Sequence, residues 1–240
     1  MNQKDICIIC GEQLEYAHSQ KEYTELRCEF CQNTFSTHTY CPNGHFVCDT
    51  CHSEKPIKII EEFCRATKIK DPFAIADKIM KHPNFNMYGP EHHALSPASI
   101  LTALKNNDIK KPNGESLTFS DIEEGIHRGA KIPGGYCGFY GSCGAGIGAG
   151  IAISVFTGAN PSKDIPRSLA NKMTSRALIK IADDLEHCCK RSVRISICEA
   201  LDFLNENFGI KLQYSPNKCL FSSSNKKCEA SNCPIFLIED

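Results

Sequence analysis

The chain has 240 residues, 27 Lys and Arg against 28 Asp and Glu, a formal charge of -1 and 16 cysteines. So even a balance gives no electrostatic case for nucleic acid or membrane binding, and the apolar content suffices for a folded core. Met1-Asn2-Gln3-Lys4-Asp5 lacks an apolar leader, and the apolar stretch 143–157 falls short of the roughly 18–20 residues of a membrane span. A cytoplasmic protein without membrane association is expected.

In a reducing compartment so many cysteines point to metal rather than disulfides. Residues 5–52 read Cys7-x2-Cys10, Cys28-x2-Cys31, Cys41-x3-His45 and Cys48-x2-Cys51, with His52 beside the last pair. Eight soft ligands are what two closed tetrahedral zinc sites require, and metal would staple a segment with few large apolar residues. Redox dithiols are the other use of such pairs. Sequential pairing puts Cys7, Cys10, Cys28 and Cys31 on one ion and Cys41, His45, Cys48 and Cys51 on the other. Interleaved pairing would resemble the cross-brace of RING-like modules, although the last pair of that motif is missing and an extra pair precedes it, which argues against ligase activity. His52 either replaces His45 or lies at the surface. Ser53-Glu54-Lys55-Pro56 reads as a linker, so a zinc module over 1–53 and a helical cysteine-rich domain over 54–240 are expected.

Beyond Pro56 the spacing turns helical, with Ile59, Ile60, Phe63 and Cys64 on one face and Phe73, Ile75, Ala76, Ile79 and Met80 on the next. Cys64 reads there as a small core residue. Ser96-Pro97 resembles an N-cap followed by N1 of a helix through about Asn107. The loop before it gathers Glu91, His92 and His93. Adjacent histidines there could act as acid and base or ligate metal; capping histidines in a solvated loop are the plainer reading. Lys110 to Glu115 makes a turn, and Ser120-Asp121 opens a further helix. Pro161 and Pro166 break the chain before a helix whose stripe of Leu178, Ile181, Ala182 and Leu185 leads to Cys188-Cys189. Ser192 to Phe208 forms a helix closed by Gly209, with Cys198 at the border of its stripe. Two short C-terminal strands, Ile210 to Tyr214 and Pro234 to Ile238, complete a mainly α fold.

The stretch from Pro133 to Ser154 holds half of the 16 glycines and runs into a helix-length apolar segment. Cys143, Ile147, Ile151 and Val155 share one helical stripe, which turns the sulfur inward, and a helix N-terminus favours thiolate. Glycines so dense in a helix imply a close approach, either of sulfur chemistry or of another helix. Lys190, Arg191 and Arg194 follow Cys188-Cys189 and would offset an anionic thiolate cluster, or merely end a helix. Cys219, Cys228 and Cys233 lie in polar sequence, where packing gives no reason for them. With Cys137, Cys143, Cys188, Cys189 and Cys198 they make eight candidate ligands for an iron–sulfur cluster, or a thiol or persulfide set centred on Cys143. Structural zinc and unliganded core thiols are the remaining readings. Gly144-x-Gly146-x-x-Ala149 is no dinucleotide fingerprint, because no strand precedes it.

The run from Cys137 to Gly148, followed by Cys188-Cys189-Lys190-Arg191, Ser196-Ile197-Cys198-Glu199-Ala200 and the Cys219, Cys228, Cys233 set, resembles an uncharacterised cysteine-rich domain family of anaerobic microbes. Members sometimes stand beside methyltransferase domains, of which this sequence has no signature. Residues 137–198 are also similar to redox proteins named for a Cys, Gly-Cys-Ala-x2-Gly, Cys, Cys pattern. The first resemblance spans most of the chain, zinc-like N-terminus included. Neither resemblance carries a reaction; together they imply a metal–sulfur protein without naming a substrate. The competing expectation is an adaptor whose zinc module docks a protein; few Lys and Arg over 1–52 disfavour nucleic acid as the partner.

Overall fold

The computed structural model describes residues 7, 9–10, 12–16, 24–37, 39–48, 55–182, 185–215 and 218–236. Cys51 and His52 lie outside them. The N-terminal segment carries β1 (Glu15–Tyr16), β2 (Thr24–Arg27), β3 (Thr34–Thr37) and β4 (Thr39–Tyr40). The hairpin β2–β3 is antiparallel with Thr24 opposite Thr37, and β1 pairs antiparallel with β4. Helices follow: α1 (Pro56–Ala66), α2 (Pro72–Met80), α3 (Glu91–Asn106), α4 (Phe119–Ala130), α5 (Tyr136–Phe139), α6 (Gly144–Thr157), α7 (Asp164–Ile181) and α8 (Cys189–Phe208). The mainly helical class is as expected, but the strands belong to the N-terminal segment. Ile210 to Tyr214 forms none, and residues 237–238 fall outside the described set.

Local chemistry sets most helix ends. Pro72 starts α2 behind Asp71, whose carboxylate accepts from the backbone N–H of Phe73 at 2.8 Å and of Ala74 at 3.3 Å. A reciprocal capping box of Thr118 and Asp121 starts α4, two residues before the expected Ser120. The expected apolar faces of α1 and α2 are buried, Cys64 among them, and burial pushes the Cys64 thiol up to about 12.

Helix α3 is central and packs against α1, α2, α4, α6 and α8. It begins at Glu91, so Ser96-Pro97 is interior and not a start. Pro97 has no N–H for the His93 carbonyl one turn back. Two glycine backbones occupy that side: a Cβ on Gly129 or Gly148 would stand 2.6 or 2.7 Å from the His93 oxygen. A Cβ on Gly144 would enter the His93 ring at 2.3 Å. The glycines therefore serve close helix packing around α3, the second of the two reasons the sequence left open. On α6 the buried residues include Ala145, Ala149, Ala152, Ile153 and Phe156; of the expected stripe Val155 is buried, whereas Cys143, Ile147 and Ile151 are half-buried. Helix α7 ends at Ile181 and buries Met173 and Ala177 rather than the expected stripe; Cys188-Cys189 opens α8 instead of closing α7.

Phe30, 1 % exposed, joins the N-terminal segment to the helices. Its ring meets Phe63 edge-on at 6.1 Å and His82 at 4.3 Å. At the rim Lys78 pairs with Glu29 at 2.7 Å.

Candidate metal and sulfur sites

Two groups in the N-terminal segment bring their ligand atoms within 4.8 Å of one another: Cys7, Cys10, Cys41 and His45, and Cys28, Cys31 and Cys48. The pairing is interleaved, so sequential pairing does not hold. The turn after β2 carries Cys28 and Cys31 toward Cys48, while Cys7 and Cys10 meet the segment after β4. In the first group Cys10 Sγ lies 3.6 Å from Cys41 Sγ, which lies 3.7 Å from His45 Nδ1. In the second, Cys31 Sγ and Cys48 Sγ are 3.9 Å apart. With zinc–sulfur bonds of about 2.3 Å, the edge of a tetrahedron is roughly 3.8 Å, so both groups can hold a metal ion.

Backbone N–H groups support these sulfurs as thiolates. Asn43 N–H donates to Cys41 Sγ at 3.4 Å and Cys48 N–H to Cys28 Sγ at 3.4 Å. The Glu12 N–H holds Cys10 down at about 6, while burial lifts Cys7 to about 11. At Cys28 burial raises the thiol, but the N–H groups of Cys48, Cys31 and Phe30 outweigh it and the balance falls below the ordinary value.

Among the described residues no third group reaches that spacing. The cysteines of the helical half divide in two instead of sharing one pocket by the glycine-rich turn. Cys188, Cys219, Cys228 and Cys233 line a narrow cavity with Arg191 and Arg194 in its wall. Cys188 is the N-cap of α8, its sulfur accepting from Arg191 N–H at 3.5 Å and from Asn225 Nδ2 at 3.6 Å. Burial raises Cys219, and the charges of Cys188 and Cys233 add to it. Arg194 grips Asp77 through Nη1 at 2.8 and 2.7 Å, and Arg191 donates to the Glu186 carbonyl at 2.8 Å. Lys190 is 2 % exposed beneath them, donating to Asn86 O at 3.1 Å between the rings of Phe85 and Phe221; burial lowers it to about 8.

The other sulfurs surround His187. Cys189 Sγ lies 3.5 Å and Cys137 Sγ 4.0 Å from His187 Nε2. Burial lifts Cys189 to about 11 against the Gly89 N–H, with the charges of Cys143, Cys188 and Cys137 adding to the rise. Tyr88 stacks on His187 with centroids 5.5 Å apart, and its hydroxyl donates to Asn225 Oδ1, so one phenol touches both sulfur groups. Cys198 stands apart, half-buried and raised by burial and by the charges of Asp202 and Glu199.

His92 and His93 are inside α3 rather than in a loop, at 0 % and 8 % exposed. His92 Nδ1–H donates to Gly89 O at 3.0 Å, while burial and the Lys190 charge push the ring down to about 3. His93 Nδ1–H donates to Ile132 O at 3.0 Å, and burial lowers it too. Both are built into the core, with their Nδ1–H groups spent on backbone carbonyls. His187, which the sequence analysis does not single out, is the histidine that meets thiols; its place directly before Cys188-Cys189 is the signal for it.

Residues 60–236 match the model of a family described as "Family of unknown function (DUF5714)", which leaves the N-terminal segment outside the match. No curated protein and no solved structure matches the chain.

Proposed function

The chain belongs to the DUF5714 family, whose function is unknown, and from that premise we propose that its helical half is a metal–sulfur protein. The cavity lined by Cys188, Cys219, Cys228 and Cys233 holds an iron–sulfur cluster, and the two N-terminal groups hold structural zinc. The carrying observation is that cavity: Cys188 at the start of α8 and Cys219, Cys228 and Cys233 from the C-terminal loops line one space with two arginines in its wall. Spacing favours a cluster over a single ion there, because a multinuclear cluster keeps its ligand sulfurs further apart than one zinc does, and these sulfurs fall outside the 4.8 Å groups.

The surrounding residues suit an anionic guest. Arg191 N–H and Asn225 Nδ2 already donate to the Cys188 sulfur, the bonds that tune a cluster thiolate. Arg194 pairs with Asp77 and Arg191 lies 3.9 Å from Glu229, so both fix the wall more than they add charge; the buried Lys190 adds positive charge behind it. Phe221, Ile235 and Phe236 give the cavity its apolar lining. When bound, the cluster supplies one-electron redox or sulfur-transfer chemistry.

Oxygen-free purification with iron, acid-labile sulfide and visible absorption tests this. Iron and sulfide in equal amounts are expected, lost together in Cys219→Ser and Cys233→Ser but kept in Cys198→Ser. A chain with no sulfide and no visible absorption sinks the cluster. The adaptor reading has less support, since Phe30 roots the N-terminal segment in the helical core and leaves it no free hinge at that point.

A further inference from the structure

We infer that Tyr88 is a positioning residue for the Cys188 sulfur, acting through the side-chain amide of Asn225. The inference rests on the cluster reading and adds to it a residue that does not line the cavity.

Asn225 is fixed in place before its side chain meets any sulfur. It is 8 % exposed, its backbone N–H donates to Phe221 O at 3.0 Å, and its carbonyl accepts from Cys228 N–H at 3.0 Å. One end of its amide receives the backbone N–H of Lys227 at 3.0 Å. That N–H can only donate, so this end is Oδ1, and the NH2 end is the one turned to the Cys188 sulfur, 3.6 Å away. Arg191 N–H donates to the same sulfur at 3.5 Å. Two N–H donors on one sulfur suit a cluster ligand.

Tyr88 supplies the second hold on that amide. Its hydroxyl also donates to Asn225 Oδ1, from a segment 137 residues away in sequence. Burial raises the phenol, and the charge of Cys188 adds to the rise, so the hydroxyl keeps its proton. Stacking on His187, with centroids 5.5 Å apart, limits where the half-buried ring can point its hydroxyl. Turning the amide over would set its NH2 against the Lys227 N–H, take the acceptor from the phenol and lose the bond to sulfur. The phenol also ties the turn holding Asn225 and Cys228 to the segment before α3. Reduction adds negative charge to a cluster and its sulfurs, and N–H donors to those sulfurs stabilise it, so a weakened donor makes reduction harder.

The test compares cluster midpoint potentials in the full chain, purified without oxygen, for wild type, Tyr88→Phe, Asn225→Ala and the double variant. Tyr88→Phe keeps the stacked ring and removes only the hydroxyl. Both single variants are expected to shift the potential negative, Asn225→Ala by more. The double variant is expected to match Asn225→Ala, because Tyr88 acts through that amide. An unchanged potential in Tyr88→Phe overturns the inference, and so do shifts that add in the double variant. A second readout needs no cluster: the side-chain amide signals of Asn225 in a nitrogen-15 NMR spectrum, identified by their loss in Asn225→Ala, should move in Tyr88→Phe. Absence of iron and sulfide in wild type refutes the cluster alone. The amide signals then decide, and signals unmoved in Tyr88→Phe overturn the positioning role.

Discussion

Cys188 and Cys189, consecutive in the chain, face different surroundings: Cys188 lines the arginine-walled cavity, and Cys189 stands 3.5 Å from His187 Nε2. The start of α8 is therefore a partition. Successive residues at a helix start diverge by about 100°, so a Cys-Cys pair there cannot turn both sulfurs into one space.

The interleaved N-terminal pairing predicts how zinc is lost. Cys28→Ser with Cys48→Ser should release one equivalent, because both ligands belong to one group. Cys28→Ser with Cys41→Ser should release two. Mass spectrometry under native conditions counts the ions, and equal losses from both double variants would contradict the pairing.

Phe30→Ala should destabilise the whole chain by about 3–5 kcal/mol, the usual range for deleting a buried phenyl ring. Chemical denaturation followed by helix signal measures it. A loss confined to the N-terminal segment, with the helical transition unmoved, would show that the ring is not shared.

Gly148→Ala should cost roughly 1–3 kcal/mol through overpacking, because the new methyl meets the His93 carbonyl at 2.7 Å and Pro97 Cδ at 2.8 Å. Gly138→Ala is the control, with nothing within 4 Å of its new atom. Thermal melts of the two compare them directly.

His92 predicts a specific acid response. Its folded value is about 3 against an ordinary 6.5, so the unfolded chain binds the extra proton between those limits. Stability from keeping the ring neutral is complete above pH 6.5 and falls as pH drops toward 3. The loss between pH 6.5 and 5 is about 2 kcal/mol. His92→Asn keeps a donor for Gly89 O but cannot titrate. Unfolding curves of this variant should be flatter over that range by that amount; identical slopes would remove His92 as the cause.

The sequence made the periodic parts legible. Ile59, Ile60, Phe63 and Cys64 bury as their spacing requires, and the metal-ligand spacing of the N-terminal cysteines anticipated two groups. It could not separate two pairings with the same spacing, since strand register decides that. The start of α3 was misread because Pro97 usually marks a first turn. Here a proline is tolerated inside the helix because two glycine backbones lie against the carbonyl it leaves unbonded. Cys143 is half-buried for a related reason: glycine and alanine make much of the packed face of α6, alongside Ile153 and Phe156, so Ile147 and Ile151 sit with Cys143 at its margin. His187 was passed over because its partner Cys137 is far away in sequence.

The family match begins at residue 60, inside α1, while Phe30 rests on Phe63 and His82. That boundary thus cuts through packed interior and leaves an aromatic-lined hollow on the inner side. A polypeptide starting at the boundary would need another lid over the hollow, whether a different leading segment or a second molecule. Comparing what precedes the shared region among relatives is therefore a question of how one gap is closed.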